Sequence, residues 1–358
     1  MQNDSFKFDN EPAPATVRWC AGRVLETTVA AEGWGLLGNV SWRGTTVLLL
    51  ADLLAARSRY YRDTLVAVAR HAQAVGARVV IGGSPWLKGE GVAVHYQATG
   101  LATIARKAGW VLADFERLPI TRVCAGRRVY HLPKTLFETD VVVNFSSAYR
   151  HRRLRLAGAM FGLLNALPGT KQTALLRLKN AGASLADVIV DLTALIAPAL
   201  HSVAILRAGS GTSLWSDDPV SLDVVTARLA GLAPERLDWL KLAAESGLGL
   251  LPLDVLDPAV DQAHLCLAQL AAFRADRLTR WPAVLEAVAG RRVLPRPEVR
   301  PERCLRCDMC RETCPTGNAA PAGGRKLLAS HTICWQCGRC LNVCPSHAVM
   351  ARPAKLWF

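Results

Sequence analysis

Aromatic side chains, acidic side chains and long uncharged apolar runs are all scarce in this 358-residue sequence. Aromatic residues make up 6%, and 29 Asp and Glu stand against 43 Lys and Arg. The N-terminus has no basic segment followed by an apolar one, so we expect no export and a cytoplasmic location. An apolar stretch at 183–206 contains two aspartates, a proline and a histidine, and charges within a membrane span are costly. The sequence therefore predicts no membrane span.

Recognisable nucleic-acid-binding modules are also missing, and the arginines are mostly dispersed, so the net charge of +14 does not predict binding to nucleic acid. A basic balance suits an acidic redox protein as partner, or a small anionic substrate. The segment GSGTS (209–213) lacks the lysine of a P-loop and the third glycine of a dinucleotide fingerprint. We interpret it as a plain loop.

Eight of the 11 cysteines lie in two runs with the same spacing, C-x2-C-x2-C-x3-C-P. The first cysteine run spans 304–315 and the second spans 334–345. This spacing is typical of 4Fe–4S cluster binding. Zinc sites share the C-x2-C hook but rarely add the further cysteines and the proline, and a disulfide framework would need an oxidising compartment. The runs therefore predict two 4Fe–4S clusters.

The fourth cysteine of each run is expected to bind the cluster of the other run, as in two-cluster ferredoxins. Four ligands on each cluster would leave no iron open to a substrate, so we expect both clusters to carry electrons. The predicted ligands are Cys304, Cys307, Cys310 and Cys344 for cluster I, and Cys334, Cys337, Cys340 and Cys314 for cluster II.

Short apolar strands alternate with amphipathic helices before the cysteine runs. This alternation predicts an α/β fold with a mostly parallel sheet flanked by helices, followed by a small C-terminal α+β ferredoxin-like domain. The predicted domains are the α/β domain at 1–290, a basic Pro-rich linker at 291–302 and the cluster domain at 303–358. The predicted strands are 45–51, 77–83, 110–115, 141–145 and 201–206, and the predicted helices are 58–76, 97–108, 184–195, 219–232, 234–249 and 260–289.

The densest basic run, RHRRLR at 150–155, follows the fourth predicted strand. Open α/β sheets bind ligands at the carboxyl ends of their strands, so its arginines are anion-binding candidates; a solvated helix start is the alternative. His151 could act as a general acid or base, or could be a turn histidine bound to the backbone. Asp223 could be catalytic, but we expect it to pair with Arg228. The anion-binding candidates are Arg150, Arg152, Arg153 and Arg155.

Several stretches resemble the domain-of-unknown-function 362 family, whose members often carry a C-terminal two-cluster ferredoxin module. The family's Asn-x-Pro-Lys-x-Lys-x-His turn is similar to NFSSAYRH at 144–151, and this resemblance implies that Asn144 and His151 are catalytic candidates. The stretches that carry the resemblance are 79–86, 98–116, 139–169, 184–206 and 217–232.

The sequence departs from the family pattern at several polar positions. The aspartate of the family's Gly-Asp-Ser-Pro turn falls on Gly83, and the two turn lysines fall on Ser147 and Tyr149. A later lysine of the family falls on Phe161. We therefore expect the site that the resemblance implies to have lost several of its polar groups.

Three functional hypotheses follow. The first is an iron–sulfur protein that relays electrons through two 4Fe–4S clusters to or from a site or partner at the α/β domain. The second is a reductase, an oxidoreductase that acts on a small anionic substrate bound near residues 144–155. The third is a non-catalytic assembly or docking subunit of a redox complex.

Overall fold

The structure is a computed structural model, and it describes the larger part of the chain. The predicted helix at 260–289 lies outside the described residues, as do Arg152, Cys334 and Cys337. The described residues are 17–19, 25–27, 42–84, 92–151, 153–168, 183–207, 210–249, 296–316 and 338–352.

The strands and helices alternate as the sequence predicts. The strands are β1 (Val17–Trp19), β2 (Leu25–Thr27), β3 (Thr46–Ala51), β4 (Arg78–Gly83), β5 (Val111–Asp114), β6 (Ile120–Ala125), β7 (Arg128–Pro133), β8 (Val141–Ser147), β9 (Tyr149–His151), β10 (Arg155–Ala157), β11 (Leu200–Arg207), β12 (Ser210–Ser216), β13 (Arg296–Val299) and β14 (Val349–Arg352). The described helices are α1 (Arg59–Ala74), α2 (Val92–Ala98), α3 (Leu101–Ala108), α4 (Thr135–Glu138), α5 (Ala159–Gly162), α6 (Leu185–Ile196), α7 (Pro219–Leu229), α8 (Asp238–Glu245), α9 (Met309–Glu312) and α10 (Arg339–Val343).

Eight strands form the central sheet, in the order β1-β2-β12-β11-β8-β3-β4-β5. The five strands from β11 to β5 run parallel, and these are the five that the sequence predicts. The remaining three are antiparallel and form one edge. The fold is therefore α/β with a mostly parallel sheet, which confirms the predicted fold class.

Strand β3 explains why the sheet is covered on both faces. Successive side chains of a strand point to opposite faces. Leu48 and Leu50 belong to one core with residues of α6 and α7, whereas Val47 and Leu49 belong to a second core with residues of α1. All four side chains are 0% exposed. A continuous apolar run buried on both faces is typical of parallel strands.

Three local predictions are wrong. The helix expected over 97–108 is two helices, α2 and α3. The helix expected over 234–249 is shorter, because a 3₁₀ turn at Pro234–Arg236 precedes α8. The plain loop expected at 209–213 is also wrong, because Ser210–Ser216 form β12 and pair with β11 along its length. Residues 213–215 of β12 also pair with β2, so backbone pairing on two sides holds this glycine- and serine-rich sequence as a strand.

The C-terminal module consists of the short helices α9 and α10 and the antiparallel pair of β13 and β14. Strand β13 lies within the stretch 291–302 that we predicted as a linker. The small ferredoxin-like module expected at the C-terminus is therefore present. Among the described residues, no helix has the length and apolar character needed to cross a membrane.

Candidate functional site

The strand order of the sheet reverses between β3 and β8, which is where open α/β sheets place their ligands. Asp52 follows β3 directly, and Tyr149 begins β9 after β8. The Tyr149 hydroxyl donates to Asp52 Oδ2 at 2.8 Å. Asp52 is 4% and Tyr149 9% exposed. A bonded pair of buried side chains therefore bridges the carboxyl ends of these two strands.

Asp52 is held by further hydrogen bonds. Its Oδ1 accepts the backbone N–H groups of Leu54 and Ala55, at 2.9 and 3.1 Å. Its own backbone N–H donates to the Tyr61 hydroxyl at 2.7 Å. Burial, and then the charge of Asp52, raises the pKa of Tyr61 and of Tyr149 well above the ordinary value. Both phenols are therefore hydrogen-bond donors rather than bases.

Asn144, a catalytic candidate, is fully buried in β8. Its Nδ2 donates to the Ala159 carbonyl at 2.7 Å and lies 3.1 Å from Nδ1 of His201. Burial lowers the pKa of His201 to about 3, so that ring is neutral and its Nδ1 accepts from the amide. The Asn144 amide nitrogen is thus engaged by two internal partners.

His151, the second catalytic candidate, is 4% exposed. Its Nδ1 accepts the backbone N–H of Leu154 at 3.0 Å, and its ring lies 5.2 Å from that of Phe161 between centroids. This is the backbone contact that the alternative interpretation expected. The catalytic roles of His151 and Asn144 stay predictions.

The basic run at 150–155 lies in a hairpin formed by β9 and β10, and not at the start of a helix. Tyr149 and His151 are buried, whereas Arg150, Arg153 and Arg155 are exposed. We call these three exposed arginines the arginine hairpin. It lies beside the carboxyl end of β8, where the sequence located it, and its binding of an anion stays a prediction.

Asp223 lies in α7, and its carboxylate accepts the backbone N–H groups of Ala159 and Met160 at 2.6 and 3.0 Å. Our expectation that it pairs with Arg228 is wrong, because Arg228 lies 3.8 Å from Glu235 instead. Burial raises the pKa of Asp223 to about 7, and the two backbone hydrogen bonds oppose that rise. The Asp223 side chain therefore holds the start of α5 through two hydrogen bonds, and burial makes its charged form less favourable.

The raised pKa of Asp223 makes stability depend on pH. Its contribution is complete below the ordinary pKa of 3.8 and is lost as pH rises through about 7, because the folded state holds the proton more tightly. Between about pH 5 and pH 8, the wild-type protein should lose roughly 3 kcal/mol of unfolding free energy relative to Asp223→Asn. Anaerobic urea unfolding of both proteins measures this difference. A difference that does not change with pH would contradict the prediction.

A second polar pair lies at the ends of β4 and β5. The Ser84 hydroxyl donates to Glu116 Oε1 at 2.5 Å, and the Ser84 backbone N–H donates to the Asn165 carbonyl at 2.8 Å. Ser84 is 0% and Glu116 2% exposed. Sequence reasoning did not identify this pair or Asp52. The available signal was a polar residue placed directly after an apolar strand.

The two cysteine runs share a backbone feature. The residue after the second cysteine of each run is left-handed, with φ of +54° at Asp308 and +77° at Gly338. A short helix, α9 or α10, follows in each case. The fourth cysteine of each run also has a hydroxyl two residues later: Cys314 Sγ lies 3.2 Å from Thr316 Oγ1, and Cys344 Sγ lies 3.6 Å from Ser346 Oγ. The described parts of the two runs therefore share these local features.

The described cysteines fit a cluster shared between the two runs. Burial raises the pKa of the Cys310 thiol, and the neighbouring charges of Cys344 and Cys304 add to the rise. Cys304 and Cys310 of the first run and Cys344 of the second also contact the same apolar cluster. Within the described ranges, no three His, Cys, Asp or Glu side chains are grouped tightly enough for a single metal ion. A 4Fe–4S cluster does not need that, because its ligands bind different irons.

The surroundings of these sulfurs are also suited to a cluster. Five of the cysteines pack against a small apolar core. Cys344 Sγ accepts the backbone N–H of Ala348 at 3.2 Å. Burial works against the thiolate of Cys344, but hydrogen bonds from residues 346–349 outweigh it and lower the pKa. The apolar core consists of Val299, Leu341, Ala348 and Val349.

The model of the family described as "Domain of unknown function (DUF362)" matches residues 57–238, which is just over half of the chain. The chain belongs to the DUF362 family. The "4Fe-4S dicluster domain" model matches residues 295–350, so a 4Fe–4S cluster-binding module follows the DUF362 domain. Both findings confirm the expected resemblance.

A curated relative matches a short part of the chain. "Pyruvate synthase subunit PorD" of Thermotoga maritima is 36% identical over 58 residues, which are 16% of this chain and 59% of that subunit. The chain thus spans little more than half the length of this relative, and 58 residues are far fewer than the DUF362 domain contains. The likeness supports an electron-transfer role for the module.

The departures from the DUF362 pattern have structural counterparts. A Cβ at Gly83 would overlap the carbonyl oxygen of Ala51, so the ends of β3 and β4 approach too closely for a side chain there. Tyr149, at a lysine position of the pattern, bonds Asp52 across the strand reversal. Phe161, at another lysine position, packs on the ring of His151. At the two positions where the resemblance leads us to expect lysines, this DUF362 domain thus has a phenol–carboxylate hydrogen bond and an aromatic packing contact.

Proposed function

We propose that this protein transfers electrons through two 4Fe–4S clusters, held by the crosswise ligand sets, and exchanges them with an acidic redox protein. The observation that carries the proposal is that cysteines of both runs, among them Cys310 and Cys344, pack against one small apolar core. Each bound cluster supplies one-electron chemistry: it is reduced by one electron when a partner protein is oxidised by one, and no substrate bond is made or broken.

The chain's own residues prepare the module for this role. The cysteine sulfurs supply the ligands, and the apolar core formed with Val299 and Leu341 limits access of water. The Ala348 N–H and the hydroxyls of Thr316 and Ser346 lie against sulfur atoms. Hydrogen bonds to cluster sulfurs, together with solvent exposure, set reduction potentials.

The state of the DUF362 domain favours electron transfer with a docked partner over a reductase. Asn144 and His151 are buried and bonded within the domain, and Tyr149 and Asp52 bridge the strand reversal. The exposed arginine hairpin and the net charge of +14 suit an acidic partner. The likeness of the module to a subunit of a larger enzyme also supports a protein partner.

Anaerobically purified protein should contain about eight irons per chain, four for each cluster. Dithionite should reduce the clusters and produce two overlapping paramagnetic signals. Iron analysis and electron paramagnetic resonance measure both properties on the same sample. Zinc in place of iron, or iron that takes up no electrons, would show the proposal to be wrong.

A further inference from the structure

Arg339 lies directly before Cys340 in the second cysteine run, yet it is only 3% exposed. Its Nε donates to the Glu116 carbonyl at 2.6 Å, and its Nη2 donates to the Leu118 carbonyl at 2.7 Å. A buried guanidinium is costly unless its donors are satisfied. These bonds therefore fix the second run against the segment that follows β5 in the DUF362 domain.

Thr313 makes a second contact with the same segment. It lies directly before Cys314, is 6% exposed, and its hydroxyl donates to the Glu116 carbonyl at 3.2 Å. One carbonyl of the DUF362 domain thus receives donors from both halves of the module. Each donor residue is the chain neighbour of a proposed ligand of cluster II. We call Arg339, Thr313 and the Glu116 carbonyl the interdomain contact.

Arg339 also acts on the carboxylate at the end of β5. Burial raises the pKa of Asp114, the last residue of β5, and the charges of Arg117 and Arg339 oppose that rise. The Glu116 side chain accepts from Ser84 after β4. The interdomain contact is thus continuous with the polar pair at the carboxyl ends of β4 and β5.

Part of the first cysteine run, residues 305–308, faces solvent. Leu305 is 68% exposed, and Arg306, Cys307 and Asp308 are also exposed. At positions described in both runs the second run is covered: Gly338 and Leu341 are buried, whereas Asp308 and Arg311, at the same places in the first run, are exposed. These corresponding positions of the two runs therefore have opposite surroundings.

We infer that the two cluster sites have a fixed order: the one that contains Cys314 and Cys340 adjoins the DUF362 domain, and the one that contains Cys307 faces outward. The inference rests on the proposed function and on its ligand sets. One electron at a time is then exchanged with the redox protein at the Cys307 end, where that protein is oxidised or reduced by one electron. The interdomain contact connects the other end to Ser84 and Glu116 in the DUF362 domain.

Arg339→Met in the full-length protein tests this order, and Arg306→Met is the matched control because Arg306 also directly precedes a cluster cysteine. Reduction adds negative charge, which a buried cation stabilises. Arg339→Met should lower the midpoint potential of one cluster and leave the other unchanged, with iron content retained. It should also increase deuterium uptake in residues 111–118. Exposed Arg306 is screened by solvent, so Arg306→Met should change neither uptake nor, measurably, the potentials.

The outcomes separate the inference from the proposed function. If Arg339→Met retains its iron but matches Arg306→Met in potentials and in deuterium uptake, the order is wrong and electron transfer stands. If Arg339→Met fails to fold, Thr313→Val removes a single hydrogen bond at the same carbonyl. That variant should increase uptake in 111–118, and unchanged uptake would overturn the inference. Absence of reducible iron in the wild-type protein would remove the proposed function itself.

Discussion

Replacing Cys344 with alanine is expected to remove the cluster whose other ligands lie in the first cysteine run, lowering iron from about eight to about four per chain. The reason is the crosswise arrangement, in which Cys344 completes the set begun by Cys304 and Cys310. Cys304, Cys310 and Cys344 pack against the same apolar core although they belong to different runs. Iron analysis of the anaerobically purified variant measures the loss.

Cys124→Ala is the control for this experiment, since Cys124 is an exposed free cysteine on β6 outside both runs. It should retain about eight irons. Cys314→Ala should remove the other cluster, so the signals that remain in the Cys344 and Cys314 variants should differ. Only the signal left by Cys344→Ala should respond to an added Arg339→Met. If instead only the signal left by Cys314→Ala responded to Arg339→Met, each run would bind its own cluster and the crosswise sets would be wrong.

Replacing Gly83 with aspartate restores the residue of the DUF362 pattern and is expected to lower the unfolding free energy by roughly 3 kcal/mol or more. A Cβ at this position would overlap the Ala51 carbonyl oxygen, which belongs to the buried end of β3. Main-chain atoms in the centre of a sheet cannot move aside cheaply, and the added carboxylate would be buried beside Leu53. Anaerobic urea unfolding measures the loss.

Two further variants separate the causes of this effect. Gly83→Ala adds the Cβ without the charge, so it isolates the steric part. Gly126→Ala is the matched control: Gly126 has φ of +56° and no atom within 4 Å of an added Cβ, so the variant should cost about 1 kcal/mol from backbone strain alone. If Gly83→Asp proved as stable as Gly126→Ala, the close approach of β3 and β4 would not explain the departure from the pattern.

The five parallel strands could be predicted because each is a short apolar run, and burial on both faces leaves few other conformations for such a run. Strand β12 could not be predicted. Its residues 210–213 are glycine, serine and threonine, and only pairing with β11 makes them a strand. Local composition carries no information about that pairing, and a segment of glycine, serine and threonine by itself predicts a loop.

The partners of two charged residues show a similar limit. Arg228 lies five positions after Asp223 in one helix, and side chains at that spacing do not face each other, so helical geometry alone argued against the expected pair. The actual donors to Asp223 are backbone groups of Ala159 and Met160, which no side-chain pattern reveals. Arg339 and Glu116 are separated by 223 positions, and their contact depends on how the module packs against the sheet. The sequence located the cysteines but not the surface that orients them.

The antiparallel pairing of β13 with β14 has a mechanical consequence. Val299 lies opposite Val349 and Arg296 opposite Arg352, so the polypeptide enters and leaves the cysteine-rich fold at one edge. The β13–β14 pair is therefore the covalently connected edge of the module. Arg339 and Thr313 provide a second attachment, because both donate to the Glu116 carbonyl in the segment after β5. The orientation of the module relative to the sheet therefore depends on a few hydrogen bonds as well as on the covalent connection.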